Sequence, residues 1–339
     1  MWVLTIDGSE GEGGGQVLRT ALALSAVTGT PFRIEGIRAR RSRPGLLRQH
    51  LTGVRAVAEV CGAEVEGDRL GSAALTFAPG PVRAGRYHWA VGTAGSAGLV
   101  LQAALPPLLA ADGPSELVVE GGTHNPASPP GPFLEAALVP LLCRMGPRVA
   151  LRTDRAGFYP AGGGQYTVSV APAPLSPLAL ERRGEVELVP VAAVSNLSRK
   201  IAARELDVVR QGLGLEARAG ELRELASPGP GNAVWIAAEA EAVTEVFTAF
   251  GRKGVSAEAV AAEALAELAA WRRCDVPVGE HLADQLLVPL ALAGGGTFRT
   301  VAPSLHTRTN AALIARFLPV RFEVTEEGGG AYRITVHRS

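Results

Sequence analysis

Apolar residues recur at helical spacing in three long runs. Each run opens on a turn of small residues and closes on a strand-like stretch. The first, "GGGQVLRTALALSAVTGTPFRI" (13–34), has a glycine turn, a glutamine, an apolar helix, a second turn and a strand. "GSAGLVLQAALPPLLAADGPSELVV" (95–119) and "GEHLADQLLVPLALAGGGTFRTV" (279–301) follow the same plan, with Gln16, Gln102 and Gln285 at corresponding places. A second helical pattern and a strand come after each, in 45–67, 131–153 and 309–327. The pattern predicts three strand–helix–strand–helix–strand units.

The fold class expected is therefore α/β (α+β), with a large domain of three βαβαβ-type units in pseudo-threefold symmetry. The spacing of the units is uneven. Gln16 and Gln102 stand 86 positions apart, Gln102 and Gln285 183 apart. About one small domain's length separates the second and third units. That surplus, placed at 183–275, has its own strand and helix patterns, such as "AVWIAAEA" and "SRKIAARELDVVRQGL". The expected organisation is a large domain of 1–182 and 276–339 with a smaller inserted α/β domain of 183–275. The loop "SPGPGN" (227–232) falls inside the insert.

Composition narrows the class. Hydrophobic residues make up 47% and charged ones 19% of 339 residues, which reads as a folded soluble chain. Net charge is zero, so no global field draws in nucleic acid and any polyanion site is a local patch. Cys61, Cys143 and Cys274 are far apart and odd in number, with no CxxC pair. They read as free thiols of a reducing cytoplasm rather than a disulfide framework or a thiolate zinc site. The N-terminal stretch does not look like a signal peptide, and the apolar run at 99–111 is too short to cross a bilayer, so no membrane partner is expected. Only Lys200 and Lys253 are lysine, so 31 of the 33 basic residues are arginine, the side chain that grips phosphate with a two-pronged fork.

Three stretches carry candidate chemistry. "GSEGEGGGQ" (8–16) is neither a P-loop, since no GK[ST] follows, nor a dinucleotide fingerprint. It is a turn that opens a helix, a setting that suits an anion, and Glu12 within it suits a metal ion bridging to phosphate. A tight turn with a helix-capping glutamate is the plainer reading of this stretch alone. "RIEGIRARRSRPGLLRQH" (33–50) gathers Arg33, Arg38, Arg40, Arg41, Arg43 and Arg48 against one Glu35, and reads as a phosphate patch on a loop. "TVAPSLHTRTNAAL" (300–313) sets His306 on a loop between a strand and a helix, where an imidazole can be a base, a ligand or a nucleophile. Neither lysine has a KxDG context, and both lie in the expected insert, away from the arginines.

Taken in order, "DGSEGEGGGQVLR", "IRARRSRPGLLRQH", "GGTHNPASPP", "GFYPAGGG", "VGEHLADQL" and "PSLHTRTN…ARFLPVRF" resemble the RNA 3′-terminal phosphate cyclase family over nearly the whole chain. The resemblance implies an ATP-dependent enzyme that uses Mg2+ or Mn2+ to convert an RNA 3′-phosphate end to a 2′,3′-cyclic phosphate. It implies a histidine–AMP intermediate, passage of AMP to the RNA 3′-phosphate, and attack by the neighbouring 2′-OH. The implied nucleophile is His306 and the implied metal contact Glu12. The implied catalytic basic and polar positions are Arg19, Arg38, Arg41 and Gln49. The nucleotide would be bound by Gln102 and by the stretch His281, Leu282, Ala283, Asp284 and Gln285. The implied partners are RNA 3′-phosphate ends, with other nucleic-acid phosphate ends left open.

Two positions depart from the family pattern. His281 stands where a tyrosine is expected at the adenine, and Arg40 where a glycine looks usual. Two other classes share parts of the pattern. Cyclase-like factors of ribosome assembly have the fold but look to lack the nucleophilic histidine, which is present here as His306. Enolpyruvyl transferases would account for repeats and arginines but not for "PSLHTRTN".

Overall fold

The computed structural model describes residues 3–339. Its first unit runs β1 (Leu4–Asp7), α1 (Gly15–Thr28), β2 (Phe32–Glu35), α2 (Arg48–Cys61), β3 (Glu64–Glu66) and β4 (Leu75–Ala78). The second runs β5 (Arg86–Ala90), α3 (Ala97–Leu109), β6 (Ser115–Gly121), a helix broken by one wide π turn into α4 (Gly131–Phe133) and α5 (Val139–Arg144), β7 (Arg148–Arg155) and β8 (Gly164–Ala171). A short β9 (Ala179–Leu180) follows. Then come β10 (Val186–Ser195), α6 (Arg199–Leu213), β11 (Glu221–Glu224), β12 (Gly231–Ala240), β13 (Thr244–Phe250) and α7 (Ala257–Arg273). The chain closes with α8 (Glu280–Leu292), β14 (Gly295–Thr300), α9 (Leu305–Ile314), β15 (Val320–Gly328) and β16 (Ala331–Arg338).

Four four-stranded mixed sheets result, in the orders β1-β2-β4-β3, β5-β6-β8-β7, β9-β14-β16-β15 and β11-β10-β12-β13. In the first three, the first two strands run parallel and the other two join antiparallel. Each of these units has one strand more than the sequence pattern predicts. The extra strands β4, β8 and β16 lie between the second strand and the third, where they satisfy backbone groups on both sides. β4 alternates buried and half-buried positions, and β8 buried with half-buried or exposed ones, a weaker signal than the helices beside them.

α1 is buried on nearly every face, from Gln16 to Ala26, and packs against α2, α3 and α9. A helix that is apolar all round belongs at the centre of a fold. The main core therefore joins all three units, with Leu18, Leu22, Phe32, Val54, Leu108, Leu286 and Phe298 in one cluster. The β10–β13 sheet buries both faces. Val234, Ile236 and Ala238 of β12 pack on α6 and α7, in a second cluster. The alternate residues Ala233, Trp235 and Ala237 join the main core. Period-two alternation in a doubly covered sheet thus anchors residues 186–250 to the rest of the chain.

α2 packs on α3 through Gly53, where an added Cβ would meet only the Ala103 methyl, at 3.9 Å. An interior helical glycine costs about 0.5–1 kcal/mol relative to alanine. Gly53→Ala is expected to raise stability by that amount, seen as a higher denaturant midpoint. A lower midpoint would mean that the α2–α3 contact cannot accept a methyl.

Candidate active site

The turn before α1 is shaped around one carboxylate. Gly11 and Gly13 have φ of +58° and +62°, the left-handed region open to glycine. A Cβ at Gly14 would lie 2.1 Å from Glu12 Oε2, and one at Gly15 would lie 2.4 Å from His50 Nε2. Only bare backbone lets the Glu12 side chain fold back over the helix start. The Glu12 amide donates to Thr309 Oγ1 of α9 at 3.2 Å, which ties the turn to the third unit. Glu12 Oε1 meets the Arg41 guanidinium, and Oε2 is buried with no hydrogen-bond partner.

His306 lies in the first turn of α9, not on the loop the sequence pattern predicts. Ser304 caps that helix, its hydroxyl accepting from Thr307 N at 3.2 Å, so the helix starts at Leu305 and already contains His306. His306 Nε2 is 3.6 Å from Glu12 Oε1. On its other side, Nδ1 is 2.8 Å from Gln16 Oε1. The Gln16 amide nitrogen donates to both Asp284 oxygens, at 2.6 and 2.7 Å. A carboxylate only accepts, so the amide must turn its NH2 to Asp284 and its carbonyl to His306. Nδ1 is then the protonated nitrogen, and Nε2 keeps its lone pair facing Glu12. Burial holds the imidazole below its ordinary pKa; Asp284 and Glu280 oppose this, and Arg41 and Arg19 add to it.

A second polar chain crosses the site. Arg19 Nε donates to Gln102 Oε1 at 2.6 Å, and Gln102 Nε2 donates to Gln285 Oε1 at 3.1 Å. Gln102 of α3 and Gln285 of α8 thus meet directly, and Gln16 of α1 reaches α8 through Asp284. Burial lowers the Arg19 guanidinium to about 10, against the pull of Asp284, and leaves it charged at neutral pH. His50 is held neutral, down to about 3, by burial and by Arg19 and Arg38. Its Nδ1 accepts from Leu47 N at 3.3 Å. Gln16 stood out only as a repeat position and His50 only as part of a motif.

The arginine cluster divides into separate tasks. Arg33 pairs with Glu35 on β2. Arg38, at φ +55°, donates to the carbonyls of Arg43 and Gly45 and closes its own loop. Arg40 donates to Gly11 O at 3.2 Å and Arg41 reaches Glu12, so these two meet the glycine turn. Gln49 accepts from Ser96 N at 2.9 Å and fixes the loop that opens α3.

A cavity of about 1260 Å3 opens beside these groups. Gln16, Arg19, Gln102, His281, Asp284, Gln285 and His306 line it. Leu282 and Ala283 do not, being fully buried in the core. A helix turns 100° per residue, so α8 offers positions 281, 284 and 285 to the cavity and 282 and 283 to the interior. Lys253 lines the same cavity as Arg19, which the sequence pattern placed apart from it. Glu245 of β13 accepts from Gly279 N at 2.5 Å and so fixes the start of α8; burial raises its carboxyl to about 8. Arg199 and Arg204 of α6 are paired with Glu224 and Glu258.

The family model described as RNA 3′-terminal phosphate cyclase matches residues 10–324. The chain belongs to that family. A curated RNA 3′-terminal phosphate cyclase of Koribacter versatilis is 54% identical over 328 residues, covering 96% of this chain and 92% of the relative. Those of Ralstonia nicotianae and Salmonella typhimurium are 52% and 48% identical, each over 96% of this chain and over 94% and 97% of the relatives. Among solved structures, the enolpyruvyl transferase NikO from Streptomyces tendae aligns over 98% of this chain and 48% of its own, at 12% identity and a TM-score of 0.38. Among the described residues of this cyclase-family chain all three cysteines are free, and no helix is long and apolar enough to cross a membrane.

Proposed function

We propose that this chain converts an RNA 3′-phosphate end to a 2′,3′-cyclic phosphate at the expense of ATP, through covalent histidine–AMP. The observation that carries this reading is the His306–Gln16–Asp284 chain, which leaves the Nε2 lone pair free beside Glu12. Nε2 attacks the α-phosphorus of ATP, and pyrophosphate leaves with the electrons of the broken P–O bond. The charge gained by the imidazole is held through Nδ1–H on the Gln16 carbonyl, with Asp284 behind it. An oxygen of the RNA 3′-phosphate then attacks the same phosphorus and returns the electron pair to Nε2. The 2′-OH attacks the activated 3′-phosphate and expels AMP.

Nucleotidyl transfer depends on fixed positive charge more than on acid–base power. Arg41 stands at Glu12 and Arg19 at Gln102, both as fixed cations. Glu12 fits a cation, because Oε2 is buried and unpartnered. Among the described residues no group of three or more His, Cys, Asp or Glu could ligate a metal, so Glu12 would hold it with phosphate oxygens and water as the other ligands. That donor set suits Mg2+ or Mn2+, whose chemistry here is to offset phosphate charge. His281 and Gln285, on the cavity face of α8, would contact the base and ribose of ATP.

In this reading the three sheets of like strand order are three repeats in pseudo-threefold symmetry. Residues 183–275 form an inserted domain in the large domain of 1–182 and 276–339. The shared strand order and the second hydrophobic cluster under α6 and α7 support it. The test uses a 3′-phosphorylated oligoribonucleotide with ATP and Mg2+. Expected products are a phosphatase-resistant cyclic end and stoichiometric AMP and pyrophosphate. A 3′ end still open to phosphatase would overturn the reading.

A further inference from the structure

Two motifs named above have no part in the transfer chemistry, "GGTHNPASPP" and "GFYPAGGG". They zip together on the cavity wall. Gly157 O accepts from Thr123 N at 3.0 Å and from His124 N at 3.1 Å, and Gly157 N donates to Thr123 Oγ1 at 2.8 Å. The His124 and Phe158 rings pack 5.1 Å apart. This joint carries Tyr159, 76% exposed and on the cavity lining. Its ring presents an open π face at a position that the joint holds in place.

Contacts run unbroken from the turn that opens α3 to this loop and beyond it. Gln49 holds Ser96, and Asn125 Nδ2 donates to Ala94 O at 2.6 Å. A Cβ at Gly162 would lie 2.7 Å from Thr93 O, so the Tyr159 loop rests on the 93–96 turn. On its far side, a Cβ at Gly163 would strike Pro228 at 2.7 Å, and one at Gly231 would strike the Phe158 ring. Gly251 N donates to Asn232 O at 2.9 Å, which brings in the loop of Arg252 and Lys253. Arg252 is paired with Glu263, whereas no ion pair among the described residues includes Lys253. The cavity wall therefore carries an open aromatic ring at Tyr159 and an unpaired ammonium group at Lys253. The cavity, at about 1260 Å3, also exceeds the roughly 300–1,000 Å3 of a one-ligand pocket.

We propose that Tyr159 and Lys253 form a subsite for the RNA chain upstream of its 3′-terminal nucleotide, a base stacking on Tyr159 and a backbone phosphate pairing with Lys253. The inference rests on the reading that an RNA end reacts at His306. Every base has a π face, so the subsite grips RNA without reading its sequence. Four carboxylates line the same cavity, Glu263 and Glu267 of α7 and Glu280 and Asp284 of α8, and Arg252 neutralises Glu263 beside Lys253.

The test compares a labelled ten-nucleotide RNA bearing a 3′-phosphate with a nucleoside 3′-phosphate, by direct binding and as substrates. Tyr159→Ala is expected to weaken oligonucleotide binding about tenfold, with Tyr159→Phe close to wild type. Lys253→Ala is expected to reduce the slope of log K against log salt by about 0.7, one single-strand phosphate contact. Neither variant should change binding of the nucleoside 3′-phosphate or self-labelling by ATP alone. Unchanged oligonucleotide binding in Tyr159→Ala would overturn the proposal. So would equal weakening of the nucleoside 3′-phosphate, or slower self-labelling, which would place Tyr159 at the nucleotide. A wild type that never self-labels would overturn the histidine–AMP mechanism instead, and the binding comparison would still decide the subsite.

Discussion

His306→Ala is expected to abolish transfer of label from α-labelled ATP to the protein, a loss of at least about 10³-fold. In the wild type the label should be lost in acid and kept in alkali, as a phosphoramidate is. Label retained by the variant would place the nucleophile elsewhere. The neighbours of His306 give graded results. Gln16→Ala removes both the acceptor for Nδ1–H and the donor to Asp284, leaving a buried carboxylate without its amide partner. A loss of about 10–10²-fold is expected, because the imidazole survives but its tautomer and orientation are no longer set.

The same geometry fixes the sign of the pH dependence. The reactive form is the neutral imidazole, so labelling rises with pH through the His306 pKa. Burial first, then Arg41 and Arg19, hold that pKa below its ordinary value. The acid limb of the rate should therefore lie below about 6.5, the free imidazole value. Asp284 raises the His306 pKa, so Asp284→Asn should move the limb further down. Arg41 lowers it, so Arg41→Ala should move it up. A limb unmoved by either variant would mean that it reports another group.

The helices of the three units were legible because their apolar residues recur at helical spacing, and α1 is buried along most of its length. The correspondence of Gln102 and Gln285 was legible, since each is the sixth residue of its helix, whereas Gln16 is the second residue of α1 and matches them only roughly. The meeting of Gln102 with Gln285 was not, because Arg19 to Gln102 to Gln285 is a chain of tertiary contacts. The last strand of each unit was hidden because it pairs out of chain order, and its half-buried alternation resembles loop composition. The arginine run could not reveal its division of tasks. Arg38 and Arg41 have the same chemistry, and only the path of the loop turns one to carbonyls at 43 and 45 and the other to Glu12. Lys253 seemed remote because sequence distance hides how the 228–232 and 250–253 loops fold over the cavity.

Glu12→Ala is expected to lower adenylylation about 10²–10³-fold, the scale of removing one preorganised electrostatic contact at a transferring group. Two effects combine. The buried oxygen without a protein partner is removed, and Arg41 loses its counter-charge beside His306. Glu12→Gln keeps the shape and loses the charge, so it should retain Gly14 packing yet need far more Mg2+. Gly14→Ala tests the same carboxylate from the backbone side. The glycine has φ −105°, which alanine adopts freely, so the only conflict is the 2.1 Å approach of its Cβ to Glu12 Oε2. The far end of a flexible side chain can move at little cost, so the fold should keep its melting temperature while Glu12 leaves its place. Gly14→Ala should then lose most of the activity that Glu12→Ala loses, and the double variant should be no worse than Glu12→Ala alone. Additive losses in the double variant would show that the methyl disturbs something other than the carboxylate. Full activity in Gly14→Ala would show that Glu12 can act from another position, and the shaping of the glycine turn would then serve packing alone.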